Sequence, residues 1–395
     1  MAPNAPPPIA SEDNRIPPFR EVFLYFLVLG FINVGGPVAQ ITMMFNQMVE
    51  RRGWLSKDRF VKIMGFTHML PGPEALQLAI YVGYLKRGLL GGILAGLTFI
   101  IPGAVVMLIL SWLYVAYGSL PQVNDVLYIL KPAVFGIIAA GLIKLGRAAI
   151  KNALLAALVI AAFVGMRFVG VDFLLILLVA GLLNLVIVEG WPRLRRTPAA
   201  LPVVVGGLSG AVALVESRWL AIAWLFLKTG LFSFGGAYAS IAFLQRGAVE
   251  QYRWLTSGQL LDGVALSVAT PGPFMLFSTF VGFIAGGLSG ALIATFFVFL
   301  PSFVFILVGA RYIELVQNNQ FVQAFLAGVS AGVIGVILVV SLDLAPEALV
   351  DLPRIAIATI AFLIIVLLRA DVAVVAVGAM VVGIAYAAVR AFGLV

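Results

Sequence analysis

A Pro-Gly-Pro triplet with an acid directly behind it, Leu70-Pro71-Gly72-Pro73-Glu74, interrupts a long apolar stretch, and it returns as Thr270-Pro271-Gly272-Pro273-Phe274. Proline removes an N–H from the helical ladder and clashes with the carbonyl one turn back, so each copy ends one helix and starts another. The recurrence is part of a larger one. With residues 26–73 laid on 226–273 without a gap, fourteen positions match: Phe26, Leu27, Gly30, Gly35, Gly36, Ala39, Ile41, Val49, Glu50, Trp54, Leu55, Pro71, Gly72 and Pro73. Chance gives about two or three in such a window. After a one-residue shift, Gly83, Gly91 and Pro102 match Gly282, Gly290 and Pro301. The chain is therefore a duplication. We divide it into a flexible Pro-rich tail (1–18), a first repeat (19–198), a linker helix (199–216) and a second repeat (217–395).

These breaks lie in membrane sequence. The 395 residues are 63% hydrophobic and 11% charged, with a mean hydropathy of +1.13; a soluble protein carries about 25% charged residues. Such apolar runs specify an all-α polytopic membrane protein. With no cysteine and one histidine, disulfides, thiolate chemistry and His-based metal sites are not expected. The net charge of +8 fits basic cytoplasmic loops, and no nucleic-acid partner is expected. The tail lacks the apolar core of a signal peptide.

Charge placement sets the orientation. Segment 50–62 holds Arg51, Arg52, Lys57, Arg59 and Lys62, whereas its counterpart 250–262 has Arg253 against Glu250 and Asp262. Segment 144–151 carries Lys144, Arg147 and Lys151; its counterpart carries Asp343, Glu347 and Asp351. Because basic loops stay cytoplasmic, the second repeat is expected upside down relative to the first. Residues 20–48 and 57–86 are each flanked by basic residues at both ends and broken in the middle, at Asn33-Val34-Gly35-Gly36-Pro37 and at Pro71-Gly72-Pro73. We read them as re-entrant helical hairpins, the rival being full crossings. The second repeat supplies hairpins at 219–248 and 257–285. Crossings are expected at 88–118, 126–146, 152–168, 171–189, 199–216, 288–313, 321–342, 354–369 and 371–391, nine in all, with the N-terminus cytoplasmic. Trp54 and Trp254 read as interfacial anchors.

Broken backbone at membrane depth persists only where it is buried in protein or lines a wet cavity. Four breaks at matched positions start helices near Pro37, Pro73, Ala237 and Pro273, and uncapped helix N-termini attract anions. The expected site for a small oxyanion therefore comprises Asn33, Gly35, Gly36, Pro37, Gln40, Pro71, Gly72, Pro73 and Gln77 from the first repeat. The second repeat contributes Lys228, Ser233, Gly235, Gly236, Thr270, Pro271, Gly272 and Pro273. Glu74 and His68 are the candidates for proton coupling, since charge at depth is costly and histidine titrates near neutrality.

The residues Val34-Gly35-Gly36-Pro37, Trp54-Leu55, Leu70-Pro71-Gly72-Pro73-Glu74, Tyr81-Val82-Gly83-Tyr84 and Ile101-Pro102-Gly103 are similar to the long, two-domain members of the chromate ion transporter (CHR) family. So are Phe234-Gly235-Gly236, Trp254-Leu255, Thr270-Pro271-Gly272-Pro273 and Leu300-Pro301-Ser302. The sequence departs from the family at Val34, usually Phe, and at Val28, often Lys. The resemblance implies two homologous halves of opposite orientation in a bacterial inner membrane, exporting chromate on the proton-motive force. Expected partners are chromate or a similar tetrahedral oxyanion, protons, the lipid bilayer and, as one admissible assembly, a second copy in a homodimer; no cofactor is expected. A transporter or exchanger of sulfate and an anion channel are the competing readings. An intramembrane enzyme is disfavoured by the lack of a redox cofactor motif.

Overall fold

A computed structural model of the chain describes residues 16–34, 36–190, 217–234, 237–310 and 319–392. Among these the backbone is helical nearly throughout and forms no strand; one antiparallel bridge joins Val34 to Pro271. The all-α polytopic architecture expected from the sequence is the one observed. The linker helix, 199–216, lies outside the described residues.

The first two segments are hairpins. Helix α1 (Phe19–Ile32) ends where Asn33 leaves the helical region at φ −82°, ψ 79°. Helix α2 (Pro37–Phe45) begins on a proline and runs into a π-helical turn, Asn46–Arg51. At 14 residues, α1 is about 21 Å long, too short to cross a core of about 30 Å. Its start and the end of the π turn meet again, with Arg52 Nη1 3.0 Å from Glu21 Oε1. Helix α3 (Lys57–Thr67) is capped by Ser56, which accepts from the Arg59 N–H. Helix α4 (Glu74–Tyr117) leaves helical dihedrals at Arg87 and Gly88, dividing into a short arm and a long arm. Arg87 Nε donates to the Pro17 carbonyl at 2.6 Å and its guanidinium lies 5.1 Å from the Phe19 ring centre. Both segments thus return to the level at which the first began. Trp54, read as an interfacial anchor, is instead fully buried, edge-on to Tyr25 at 5.4 Å.

The first half continues as α5 (Pro121–Ala149), α6 (Ala153–Val164, prolonged to Val169 by a π turn) and α7 (Phe173–Glu189). The second repeats the plan. Helix α8 (Arg218–Phe232) leads to α9 (Ala237–Leu244) with its own π turn, Gln245–Gln251. Helix α10 (Ser257–Val268), started by a Thr256–Gln259 capping box, precedes a 3-10 turn, Phe274–Leu276, and α11 (Phe277–Gly309). The helix expected to start at Pro273 therefore opens with a tighter turn. Helix α11 is kinked at Gly286-Gly287 as α4 is at Arg87-Gly88. Helices α12 (Gln320–Ala348), α13 (Leu352–Leu367) and α14 (Val372–Ala391) close the chain. Among the described residues, five stretches are long and apolar enough to cross a membrane: Glu74–Tyr117, Pro121–Ala149, Phe274–Gly309, Gln320–Ala348 and Val372–Ala391. Ala153–Val169, Phe173–Glu189 and Leu352–Leu367 are shorter apolar helices.

The halves interleave. Helices α4 and α11 pack together, with Gly96 against the Phe303 ring and Gly92 against Leu307. Helices α6 and α7 pack along α12, and α13 and α14 pack along α5. Glycine allows these approaches: Gly328 faces the Ala180 carbonyl and Gly136 that of Ala358. At the far end of the long arm of α4, Asp125 pairs with Arg390 at 2.5 Å and Tyr128 donates to Asp351 at 3.2 Å. Arg246, at the end of α9, approaches Asp343 of α12 to 3.7 Å.

Candidate functional site

The four breaks meet in two crossed pairs, each joining a first break to the second break of the other half. The Gly272 N–H donates to the Asn33 carbonyl and to its side-chain oxygen, both at 3.0 Å. Gln40 Nε2 donates to Asn33 Oδ1 at 2.9 Å and to the Gly272 carbonyl at 3.0 Å. In the other pair the Gly72 N–H donates to the Ser233 carbonyl at 3.0 Å. Gly72 and Gly272 adopt φ of +110° and +108°, a region essentially confined to glycine. This dihedral turns each N–H toward the opposite half.

Each pair is backed by the kinked core helix of one half. Gly103 of α4 lies against Pro271 and Gly272, while Ser302 of α11 lies against Gly72. Gly30 packs on the Thr98 carbonyl, which Pro102 leaves without its helical donor, and Gly230 packs on Val298 and Pro301. The repeat is thus visible in contacts as well as in identities.

Three of the side chains expected to bind an anion donate to the backbone at the breaks. Gln77 Nε2 donates to the Pro71 carbonyl at 2.6 Å, and the Ser233 hydroxyl donates to the Thr229 carbonyl. Thr270 donates to the Ser267 carbonyl at 3.2 Å and touches Met107 Sδ at 3.5 Å. What stays unpartnered is more selective. Asn33 Nδ2 and the hydroxyls of Ser278 and Ser302 are buried polar groups with no hydrogen-bond partner in the protein. Buried donors almost always find partners, so these are available to a ligand or to water. Helices α2 and α4 begin without a side-chain cap, leaving backbone N–H groups at the same depth. Gly36, Pro37 and Pro73 frame these starts, and Pro273 frames the 3-10 turn. Gly35, Gly235 and Gly236 lie outside the described residues. His68 Nδ1 and Glu74 Oε2 stand 2.6 Å apart, straddling Pro71-Gly72-Pro73.

The family profile described as "Chromate transporter" matches residues 20–185 and, a second time, residues 220–384. The chain belongs to the chromate transporter family. It is 35% identical over 352 residues to a chromate transport protein of Pseudomonas aeruginosa, covering 84% of this chain and 83% of that one. It is 32% identical over 351 residues to a chromate transport protein of Cupriavidus metallidurans, covering 87% and 88%. An uncharacterized transporter of Methanocaldococcus jannaschii is 26% identical over 347 residues, covering 85% and 86%. No solved structure matches the chain.

For this chromate transporter family member, the position of Lys228 is revealing. Its ammonium lies 5.5 Å from the Trp224 ring centre, and Lys228 stands five residues before Ser233, which ends α8. Its repeat partner, Val28, is 53% exposed and lines a cavity of about 460 Å³ between the arms of the first hairpin, beside Glu21, Asn46, Gln47, Arg51 and Arg52. Val28 thus opens on that cavity, whereas half-buried Lys228 stands against Trp224. Three polar residues were missed from sequence. Ser302 takes the place of Gly103 in the repeat, so similarity hid it. Asp262 and Tyr114 sit on separate halves and meet only in the folded protein. Buried Asp262 is 2.9 Å from Lys131 Nζ and accepts from the Tyr114 hydroxyl at 2.8 Å.

Proposed function

We propose that this protein exports chromate from the cytoplasm across the bacterial inner membrane, driven by the proton-motive force. The crossed pairs, Asn33 with Gly272 and Ser233 with Gly72, carry the reading. They bring four interrupted helices to one depth, with Asn33 Nδ2, Ser278, Ser302 and uncapped helix N-termini as neutral donors for a tetrahedral dianion. Relatives named chromate transport proteins supply the substrate. An inverted arrangement is supported by the ends of the hairpins. Those of the first half open beside Pro17, Glu21, Arg52 and Arg87; those of the second open beside Asp343, toward the far end of the α4 long arm. Glu74, with His68 against it, is the proton-coupling group, and the N-terminus is cytoplasmic.

Radiolabelled chromate uptake by everted vesicles tests the proposal. Uptake should saturate, collapse with a proton ionophore, and resist excess sulfate. Uptake indifferent to the ionophore removes the coupling, competition by sulfate at equal affinity broadens the substrate, and non-saturating flux indicates a channel. Glu74→Gln should abolish the ionophore-sensitive part; undiminished pH-dependent flux in that variant rules Glu74 out as the coupling group.

A further inference from the structure

The Lys131–Asp262–Tyr114 cluster joins the two halves well away from the crossed breaks. Tyr114 lies seven residues along α4 from Met107, which touches Thr270, or about 10 Å along the helix. Asp262 lies on α10, eight residues before Thr270 in the chain. Lys131 projects from α5, and the Tyr114 ring is held edge-on to Phe280 at 4.9 Å. Beyond Asp262, Glu347 of α12 stands against Gly258, and a second cavity of about 750 Å³ opens among Gln245, Arg253, Thr256, Gln259 and Glu347. The cluster therefore stands between that vestibule and the break at Thr270. In the ungapped repeat alignment Asp262 corresponds to Lys62, an exposed residue, so the first half has no matching carboxylate.

A buried ion pair is a poor source of stability, because desolvation offsets much of the Coulombic gain. Its chemistry points elsewhere. An ammonium and a hydroxyl hold the two oxygens of one carboxylate, at 2.9 and 2.8 Å. A tetrahedral oxyanion presents a similar two-oxygen edge of the same sign. We propose that Lys131 and Tyr114 form a second oxyanion site on the path between the breaks and the vestibule, and that the Asp262 carboxylate is its tethered occupant, closing the path until an anion displaces it. The inference rests on the transport of an oxyanion proposed above. Lys131 exchanges one anionic partner for another, so it is never left as a bare buried charge.

The absence of cysteine allows a test that does not depend on transport. Ser111, fully buried on α4 between Met107 and Tyr114, accepts Ser111→Cys with little change of volume. A membrane-impermeant maleimide applied from the vestibule side should label this variant slowly. Asp262→Asn, which keeps the shape and frees Lys131, should speed labelling by about tenfold or more. The neutral double variant Lys131→Gln/Asp262→Asn guards against misfolding: it should remain folded but show at least tenfold lower chromate flux in proteoliposomes. Tyr114→Phe should raise the KM for chromate several-fold. Unchanged labelling in Asp262→Asn overturns the closure, and unchanged flux and KM in the Lys131 and Tyr114 variants overturn the anion site. If the wild-type chain moves no chromate but labelling still accelerates, the substrate reading fails while the closure stands.

Discussion

Alanine at Gly272 should be more damaging than alanine at its repeat partner, Gly72. Both glycines have φ near +110°, where an L side chain costs about 1–3 kcal/mol. Their surroundings differ. A Cβ on Gly72 would meet Ser302 Oγ at 2.8 Å and Gln77 Nε2 at 3.0 Å, both ends of side chains. They can turn aside at a loss of about 1 kcal/mol, the net worth of one hydrogen bond. A Cβ on Gly272 would meet the Gly103 Cα at 3.1 Å as well as the Leu276 side chain. Backbone inside α4 cannot yield, so the loop must shift and loosen the Asn33 and Gln40 contacts to Gly272. Two or three hydrogen bonds at about 1 kcal/mol each bring the total to about 3–6 kcal/mol, against about 2–4 for Gly72. Thermal unfolding of detergent-solubilised protein, followed by size-exclusion profile, reads the difference. Gly309→Ala, where a Cβ meets nothing within 4 Å, is the neutral control. Equal loss in both variants, or no loss in Gly272→Ala, would refute the argument that rigid backbone at Gly103 sets the geometry of the break.

Two further outcomes follow from the same contacts. Asn33→Asp keeps the oxygen that accepts from Gln40 and Gly272 but replaces the free Nδ2 donor by negative charge. Unfolding temperature should fall little while chromate flux drops by about two orders of magnitude, as expected when an anion meets like charge in a low-dielectric site. Trp54→Ala should destabilise the protein by about 3–5 kcal/mol, the range for deleting a buried aromatic, and Trp254→Ala, at a partly exposed ring, by clearly less; similar losses would restore the reading of Trp54 as an interfacial anchor.

What could be read from the sequence was whatever the backbone imposes locally. Proline and glycine announce a broken helix through missing donors and permitted dihedrals, so the breaks were legible, whereas whether 20–48 and 57–86 turn back or cross stayed open between the two readings. Basic flanks on both sides of 20–48 favoured a hairpin, and the Glu21–Arg52 pair accounts for it. The site was legible only as a neighbourhood. Whether Gln77 faces a ligand or the Pro71 carbonyl depends on a rotamer that spacing does not encode. Ser302 and the Lys131–Asp262 pair required knowing which helix of one half lies beside which of the other. Trp54 was misread because hydrophobicity gives no burial side in a protein whose outside is also apolar.

The crossed pairing also bears on movement. Rigid rocking of 19–198 against 217–395, the simplest motion for a duplicated transporter, would sever Gly72–Ser233 and Gly272–Asn33 together and pull α6 and α7 off α12. A division that cuts across the duplication disrupts less. One body holds the hairpins with α4 and α11; the other holds α5–α7 with α12–α14. Repeats follow chain order, whereas these bodies follow packing, so the boundary is invisible in the alignment. A disulfide separates the two motions. A Cβ on Gly332 would lie 3.2 Å from that of Ala180, close to the Cβ separation of about 3.5–4.5 Å that disulfides adopt. The pair Ala180→Cys/Gly332→Cys in this cysteine-free chain would tie α7 to α12, one helix from each half. If the bodies are as drawn, the oxidised protein transports chromate at the rate of the reduced one. If halves rock against each other, oxidation stops transport and reduction restores it, and the division proposed here is wrong.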